Sequence, residues 1–332
     1  MLKRLYLPFL LESQNADGGW GYRRGGQSSV EPTCWVLLAL TGVQGAEKLR
    51  VEESQELIAG ASTRDSSTPP LLDSAPAVVR AAVGWLRECQ LRDGSWPAFA
   101  GQPRGCWVTA VASLALYTHG GSSDHVARGL QWLSNTWPAE GGLWWRIGAK
   151  FLRRPRVVQQ NASLRGWGWT PSTASWVEPT ACALIAFRHI PKELHPRNAG
   201  GRRWLAERML YDRMCLTGGW NSGNPLLYGA AGVPRIGPTV WALLALQHCR
   251  DRPENLRSLD WLGQSYSQIQ GPGSLALAHL CLEFYDRPVP ALEPALAALN
   301  SNNQFLDHTL AAAWAAIALS GRPRWLGQET GN

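Results

Sequence analysis

The sequence predicts an all-α protein built in two layers, with six inner helices wrapped by six outer helices. Six stretches open with a helix-start pattern and then continue with apolar residues on nearly every side. A helix that is apolar all round must be buried on all sides, so these stretches form an inner layer. A more amphipathic stretch precedes each of them, and glycine-rich turns ending in tryptophan join most of the pairs. The chain is therefore a repeating helix pair.

The inner helices are predicted from their first residues. In the stretch 176–187, proline in the first helical turn loses no needed hydrogen bond, and Glu178 lies at the positive end of the helix. Six starts of this general kind are predicted, near Pro32, Trp107, Pro179, Pro238, Gly273 and Asp307.

The outer helices are predicted from amphipathic periodicity. The first resembles a short signal peptide, but Pro8 interrupts it and no small-residue cleavage site follows, which favours a helix of the fold. The predicted outer helices cover roughly residues 2–14, 75–91, 123–135, 198–215, 253–267 and 289–300. Four of them contain a Trp-Leu pair, for which we expect a shared packing role: 85–86, 132–133, 204–205 and 261–262.

Five glycine-rich turns ending in tryptophan join outer to inner helices, at residues 17–20, 93–96, 141–144, 165–169 and 217–220. Glycine permits a positive backbone angle there, and the indole that follows can lie against a neighbouring helix end. Such turns at the same place in a repeating unit indicate one architecture. We expect a single domain over residues 1–332.

The charge distribution suggests one specialised surface. The net charge is +7, and six basic residues lie within residues 141–177, which contain no acidic residue. Because nearly all of the excess positive charge belongs to this one segment, we expect no nucleic-acid partner. We expect this segment to meet an anionic membrane surface through Trp144, Trp145, Arg153, Arg154 and Arg156. A solvated basic loop and a diphosphate clamp are the alternatives.

The cysteine pattern bears on the compartment. The seven cysteines are scattered and never paired as Cys-x-x-Cys, which is typical of reduced core thiols in a cytoplasmic protein. No apolar run approaches the ~20 residues that a membrane span needs. Localisation is therefore expected to be cytoplasmic, with peripheral membrane association as an option.

Two of the turns, at residues 14–20 and 90–96, have the form Gln-x-x-Asp-Gly-(Gly/Ser)-Trp. With six helix pairs, they resemble the QW repeats of the toroid shared by squalene and terpenoid cyclases and the β-subunits of protein prenyltransferases. This resemblance covers almost the whole chain and implies an (α/α)6 toroid. It also implies a deep apolar cavity that opens at the N-terminal ends of the inner helices, where the helix dipoles favour anions.

The resemblance places a candidate acid at Glu178. Class II cyclases begin an inner helix with Asp-x-Asp-Asp-Thr-Ala, and laying that motif on residues 176–181 puts Glu178 at the protonating position. Thr180 matches the motif, whereas Trp176 and Pro179 replace its flanking acids. An acid that protonates an alkene needs a dry cavity. Glu31 has the same neighbours as Glu178, and a surface acid that complements the helix dipole is the alternative for both.

The last inner helix gives a second candidate. Asp307 and His308 form a possible acid–base pair, and His308 begins a stretch that resembles the zinc-ligating end of prenyltransferases. The Asp and Cys ligands expected at residues 271–274 are missing, and a zinc site needs at least three protein ligands. No metal and no other cofactor is therefore expected, and a capping role for His308 is the alternative.

The remaining candidate residues are predicted to bind substrate. Trp107, Trp176 and Trp241 lie on or next to inner helices, where an aromatic face can stabilise a carbocation. Arg235 and Thr180 lie near the same helix starts. Packing is the alternative role for the indoles.

Together these features favour an enzyme acting on an isoprenoid or similarly long apolar molecule, most simply an atypical terpenoid cyclase. A prenyl- or lipid-binding protein without chemistry is the second possibility. A degenerate prenyltransferase β-subunit that requires a helical partner is the third, and the oligomeric state stays open.

Overall fold

The computed structural model describes residues 6–41, 75–121, 123–140, 160–269, 271–301 and 308–327. In chain order the helices are α1 (Leu7–Glu12), α2 (30–41), α3 (Ala75–Glu88), α4 (Val108–Gly120), α5 (Asp124–Asn135), α6 (Val177–His189), α7 (Ala199–Asp212), α8 (Ile236–Ala245), α9 (Pro253–Ser265), α10 (Pro272–Phe284), α11 (Leu292–Ser301), α12 (Thr309–Ala318) and α13 (Arg324–Gly327). Short 3₁₀ turns lie at Lys192–Leu194, Gln247–Cys249 and Tyr266–Gln268. Strands β1 (Leu226–Leu227) and β2 (Ala230–Ala231) form an antiparallel pair.

The even-numbered helices α2 to α12 form the inner ring, and the odd-numbered helices α1 to α11 surround it, so the all-α toroid is confirmed. Residues 108–116 of α4 and 238–245 of α8 are buried without interruption, as expected for helices enclosed on every side. Five of the predicted inner starts agree with the structure to within two residues, because proline or threonine marks each of them. Asp307 lies outside the described residues, and α12 is described from Thr309.

The ring closes where the first helix pair meets the last. The backbone N–H of Thr309 donates to the carbonyl of Tyr22 at 3.0 Å, which joins the start of α12 to the turn before α2. In the outer layer, the hydroxyl of Tyr6 donates to the carbonyl of Leu296 in α11 at 2.7 Å. Contacts between consecutive inner helices from α4 to α12 complete the circle.

Four of the five predicted tryptophan turns share one hydrogen-bonding pattern, and the fifth, at residues 141–144, lies outside the described residues; in the turn at 165–169 the pattern uses Trp167 and not Trp169. Four tryptophans donate their backbone N–H at 2.9 Å to a threonine hydroxyl in the next inner helix: Trp20 to Thr33, Trp96 to Thr109, Trp167 to Thr180 and Trp220 to Thr239. Their indole N–H groups donate at 2.6–2.8 Å to outer-helix carbonyls, those of Leu10, Leu86, Leu133 and Leu210 respectively. Each junction thus ties one outer helix to its inner partner.

The aspartates of the first two turns connect neighbouring repeats. Asp17 accepts a hydrogen bond from the indole of Trp85 in α3, and Asp93 accepts one from Trp132 in α5, both at 3.1 Å. The turn needs glycine next to the aspartate: Gly94 has φ +91°, and a Cβ there would lie 2.6 Å from the carbonyl oxygen of Arg128. The motif therefore fixes the spacing of successive helix pairs.

We expect Thr109→Val to lower the free energy of unfolding by about 1–3 kcal/mol, because it leaves the buried backbone N–H of Trp96 without an acceptor. Urea unfolding followed by circular dichroism measures the change. Thr118→Val is the matched control, since the Thr118 hydroxyl donates only to the carbonyl of Leu114 in its own helix. Equal losses in the two variants would contradict this role of the junction.

All seven cysteines are unpaired, and five of them are buried. Across the part of the chain that the structure covers, no helix combines the length and apolarity required to cross a bilayer.

Candidate functional site

Most of the predicted site residues that the structure describes lie at one end of the ring, where the inner helices begin. Glu31 is in the first turn of α2. Four more candidates are the residues immediately before inner helices: Trp107 before α4, Trp176 before α6, Arg235 before α8 and His308 before α12. The toroid thus brings together residues that are far apart in sequence. We call this end the N-terminal rim.

Glu31 is half-buried, and its carboxyl group has a hydrogen-bond partner in the turn before α2. The hydroxyl of Tyr22 donates to Glu31 Oε2 at 2.5 Å. Burial raises the pKa of Glu31, and this effect outweighs the hydrogen bond from Tyr22, which lowers it. The carboxyl group therefore holds a proton more readily than an exposed glutamate. Sequence reasoning missed Tyr22, whose pairing with Glu31 depends on how the turn before α2 folds back.

Glu178 also has a raised pKa, but its hydrogen bonds differ from those of Glu31. Burial raises its pKa, while a hydrogen bond to its own backbone N–H and the positive charge of Arg235 lower it by less. Its Oε2 atom is buried and has no hydrogen-bond partner among the residues that the structure describes. Burial, followed by the charges of Glu31 and Glu178, raises the pKa of the Cys182 thiol one turn into α6. Both carboxyl groups therefore act on the same region of the ring interior.

A surface pocket of about 390 Å³ adjoins this region at the start of α8. The carbonyl of Ser222 in the pocket wall accepts a hydrogen bond from the N–H of Val177 at 3.2 Å, which places the pocket beside the start of α6. Its lining comes from the turn after Trp220 and from the segment between β2 and α8, β2 included: Asn221, Ser222, Asn224, Ala230, Ala231, Gly232, Val233 and Arg235. Only Arg235 was predicted. The sequence feature that could have indicated the rest of the pocket is the polar run at residues 221–224, directly after the tryptophan turn.

Indole rings meet below the rim. The ring centroids of Trp35 in α2 and Trp241 in α8 are 4.8 Å apart, with Trp314 in α12 at 6.2 Å from the first and 6.1 Å from the second. The ring of Trp325 in α13 lies 6.0 Å from that of Trp35. We call these four residues the axial indole cluster. Trp241 was predicted as a substrate contact, and Trp325 was not considered.

Other predicted substrate contacts already have partners in the fold. The Thr180 hydroxyl accepts from the backbone N–H of Trp167 at 2.9 Å, in the junction that all four tryptophan turns share. Trp107 packs edge-on against Trp169 with centroids 5.0 Å apart. Trp176 is half-buried and donates its backbone N–H to the carbonyl of Trp167. Their roles in binding stay predictions.

His308 is exposed at the rim, where it forms an isolated backbone bridge with Arg23. Partial burial lowers the pKa of its imidazole, and the charge of Arg23 lowers it further. No group of three metal-ligating side chains occurs among the residues that the structure describes. The remaining candidates lie outside the described residues: Asp307, Trp144, Trp145, Arg153, Arg154 and Arg156.

The raised pKa of Glu31 predicts a pH dependence of stability. The folded state keeps the proton over a pH range above 4.5 in which the unfolded chain releases it, so stability falls as the pH rises through that range. We expect Glu31→Gln to lose less stability than wild type over this range, as measured by urea unfolding at several pH values. Glu193→Gln, at an exposed position, is the control. Parallel curves for Glu31→Gln and wild type would refute this assignment.

No protein-family model matches the chain, and no curated protein matches it. Solved structures do match, at low identity. A protein from Actinoplanes has a TM-score of 0.55 and 16% identity, with 96% of this chain and 97% of that chain covered. A variant of the type II terpene cyclase MstE from Scytonema, in complex with the substrate geranylgeranyl dihydroxybenzoate, has a TM-score of 0.56 and 14% identity over 96% and 95% of the chains. An α-amylase from Clostridium perfringens has a TM-score of 0.55 and 10% identity over 96% and 97%. At these identities the likeness shows the fold alone.

Proposed function

We propose that this protein is a terpenoid cyclase that starts its reaction by protonating a carbon–carbon double bond of an isoprenoid. The observation that carries the proposal is the state of Glu178. Its carboxyl group has a raised pKa, and its Oε2 atom is buried without a hydrogen-bond partner in the described part of the chain. A carboxylic acid that stays protonated in a water-poor site can deliver that proton to a substrate.

The proposed reaction is an isomerisation. The Glu178 proton adds to one alkene carbon, the π electrons form the new C–H bond, and a carbocation remains on the other carbon. Further double bonds of the chain attack the cation and close rings. The final cation loses a proton to water at the rim, and the Glu178 carboxylate regains one from solvent. Substrate and product therefore have equal mass.

The surroundings of Glu178 support this chemistry. The aromatic faces of the axial indole cluster lie below the rim, where they would stabilise positive charge on the substrate. The pocket beside Arg235 offers amide, hydroxyl and guanidinium groups to the polar end of a substrate. The substrate in the Scytonema cyclase complex, geranylgeranyl dihydroxybenzoate, also combines a prenyl chain with a polar end group.

The test is incubation of the purified protein with isoprenoids in D₂O. The panel contains geranyl, farnesyl and geranylgeranyl diphosphates, geranylgeranyl dihydroxybenzoate and squalene. We expect mass spectrometry to find a cyclised isomer that has gained one deuterium on carbon, because the acid exchanges with solvent. Release of diphosphate without deuterium incorporation, or the absence of any product, would overturn the proposal.

A prenyl- or lipid-binding protein without chemistry is the second candidate. The observation that favours it is the replacement of the two acids that flank the protonating residue in class II cyclases, since Trp176 and Pro179 stand there. Native mass spectrometry after the same incubations distinguishes the two. A retained, unaltered isoprenoid favours binding alone.

A further inference from the structure

The connection between α7 and α8, residues 213–235, carries an exposed apolar surface. Five large apolar side chains are exposed in the part of the chain that the structure describes, and three of them belong to this connection: Leu216, Tyr228 and Val233, at 63%, 80% and 76% exposure. Exposed apolar side chains that are scattered singly are ordinary, whereas a contiguous group marks an interaction surface. We call these three residues the rim patch, because the connection ends at the N-terminal rim where α8 begins.

The three residues lie on adjoining parts of the connection. A Cβ on Gly219 would approach the Cβ of Pro234 to 2.8 Å, so the turn that contains Leu216 lies against the segment that contains Val233. Tyr228 is at the tip of the β1–β2 hairpin, and the five residues of chain from there to Val233 span at most about 18 Å. The rim patch is therefore one surface and not three isolated side chains.

The hairpin tip has a backbone conformation that a bulky residue rarely adopts. Tyr228 has φ +51° and Gly229 has φ +81°, the two positive angles of a tight two-residue hairpin turn. Glycine takes such an angle freely, but for tyrosine it is costly. Packing within the fold does not offset this cost, because the Tyr228 side chain is exposed. A strained aromatic residue held away from the fold indicates a contact outside the chain.

Hydrogen bonds hold the base of the hairpin. The side-chain oxygen of Asn221 accepts from the backbone N–H groups of Gly223 and Asn224, at 3.0 and 2.8 Å. The Asn221 amide group donates to the carbonyl of Asn224 at 2.8 Å. The Gln160 amide group donates to the carbonyl of Gly223 at 2.6 Å, which ties the base to a second segment of the chain. The apolar tip is thus presented on a fixed stem.

The charged residues of the connection are positive. Residues 213–235 contain two arginines and no acidic residue. Arg235 is exposed at the end of the connection, and Arg257 is exposed beside the turn of Leu216, where a Cβ on Gly218 would lie 3.0 Å from the Arg257 side chain. In an anionic bilayer, apolar side chains enter the interface while cations stay at the lipid phosphates. An apolar surface flanked by exposed arginines complements such a bilayer.

We propose that the rim patch docks the protein on an anionic lipid bilayer, with Leu216, Tyr228 and Val233 in the headgroup region and Arg235 and Arg257 against the lipid phosphates. The surface pocket beside Arg235 then opens at the lipid surface, because Val233 belongs both to the rim patch and to the lining of the pocket. A water-insoluble molecule passes from the bilayer to the pocket without crossing water. Docking needs no catalysis, so its test is independent of the proposed cyclase.

The test is flotation of the protein with synthetic vesicles at low salt. One set of vesicles contains phosphatidylcholine alone, and the other contains phosphatidylcholine with phosphatidylglycerol. We expect the wild type to bind the anionic vesicles at least about tenfold more tightly than the neutral ones, because each flanking arginine adds affinity for an anionic surface. Added salt should weaken this binding.

A triple variant with Leu216→Ser, Tyr228→Asn and Val233→Ser should bind the anionic vesicles at least about tenfold more weakly than wild type. Tyr228→Asn gives the tip an Asn-Gly pair, the most favourable composition for this turn, so the hairpin still forms. Arg257→Glu should also weaken binding to anionic vesicles and leave binding to neutral vesicles unchanged. The matched control is Trp204→Ala, which removes an exposed indole from outer helix α7 and should bind as wild type does.

Circular dichroism verifies that each variant is folded before flotation. No binding of wild type to anionic vesicles, equal binding to both sets, or wild-type binding by the folded triple variant overturns the dock. Binding that the triple variant retains, and that Arg153→Glu, Arg154→Glu and Arg156→Glu together abolish, assigns the membrane contact to the basic segment instead. Vesicle binding without a cyclised product supports the dock and removes the cyclase, whereas a cyclised product without vesicle binding leaves the cyclase and removes the dock.

Discussion

Replacing Glu178 by glutamine is expected to lower the rate of cyclisation by ~10²–10⁴-fold while the protein remains folded. Glutamine keeps the size of the side chain but cannot deliver a proton to an alkene. The raised pKa of Glu178 means that burial of its charge is costly, so an uncharged amide should not harm the fold at neutral pH. Product formation from the best substrate of the isoprenoid panel measures the rate, and urea unfolding verifies stability.

Glu31→Gln is the matched comparison, because it removes the other half-buried acid of the rim. The Glu31 carboxyl group accepts a hydrogen bond from Tyr22 at 2.5 Å, whereas Glu178 Oε2 has no partner within the described ranges, so we expect a smaller loss of activity in Glu31→Gln. A large loss in Glu31→Gln with retained activity in Glu178→Gln would assign the proton to Glu31. Retained activity in Glu178→Gln together with loss in Asp307→Asn would assign it to Asp307.

The inner ring could be predicted because its signals are local. A proline or threonine in the first turn and an apolar run behind it are visible within about ten residues of sequence, as at Pro179 and Pro238. The tryptophan turns were visible for the same reason. The hydrogen bond between Asp17 and Trp85 could not be predicted in this way, because it joins two repeats that the polar stretch at residues 45–73 separates in sequence.

The packing role predicted for the Trp-Leu pair at residues 204–205 was wrong, because the pairs were matched by sequence and not by their positions on the outer helices. Trp204-Leu205 was grouped with Trp85-Leu86, yet Trp204 is 56% exposed. The carbonyl that receives the Trp220 indole belongs to Leu210, so Leu210 is the residue of α7 that corresponds to Leu86 in α3. The acceptor pattern, which only the fold reveals, identifies the equivalent positions.

The candidate site was predictable in its location but not in its chemistry. The resemblance to cyclases placed Glu178 at the rim, while its unpaired Oε2 depends on the positions of α6 and its neighbours. The contact between Trp35 and Trp241 joins residues on opposite helices, and no periodicity within either helix encodes which indoles meet across the axis. A contact of this kind can be identified only once the closed ring is known.

The largest loss of stability is expected for Trp96→Ala. Trp96 is fully buried, its indole N–H donates to the carbonyl of Leu86 at 2.7 Å, and its ring lies against α5, where a Cβ on Gly129 would approach it to 2.9 Å. Truncation opens a cavity between three helices and leaves that carbonyl without its donor. Such substitutions cost about 3–5 kcal/mol, a large share of the ~5–15 kcal/mol that holds a typical domain folded.

Urea unfolding followed by circular dichroism measures the effect of Trp96→Ala, with Trp204→Ala as the control. The control removes an indole of the same size from an exposed position, so its free energy of unfolding should stay within about 0.5 kcal/mol of wild type. Trp96→Ala retains the backbone N–H group that donates to the Thr109 hydroxyl, so its loss of stability measures the contribution of the indole. Thr109→Val measures the contribution of the backbone hydrogen bond in the same junction. A loss below about 1 kcal/mol in Trp96→Ala, or an equal loss in the control, would mean that the tryptophan turns do not hold outer and inner helices together.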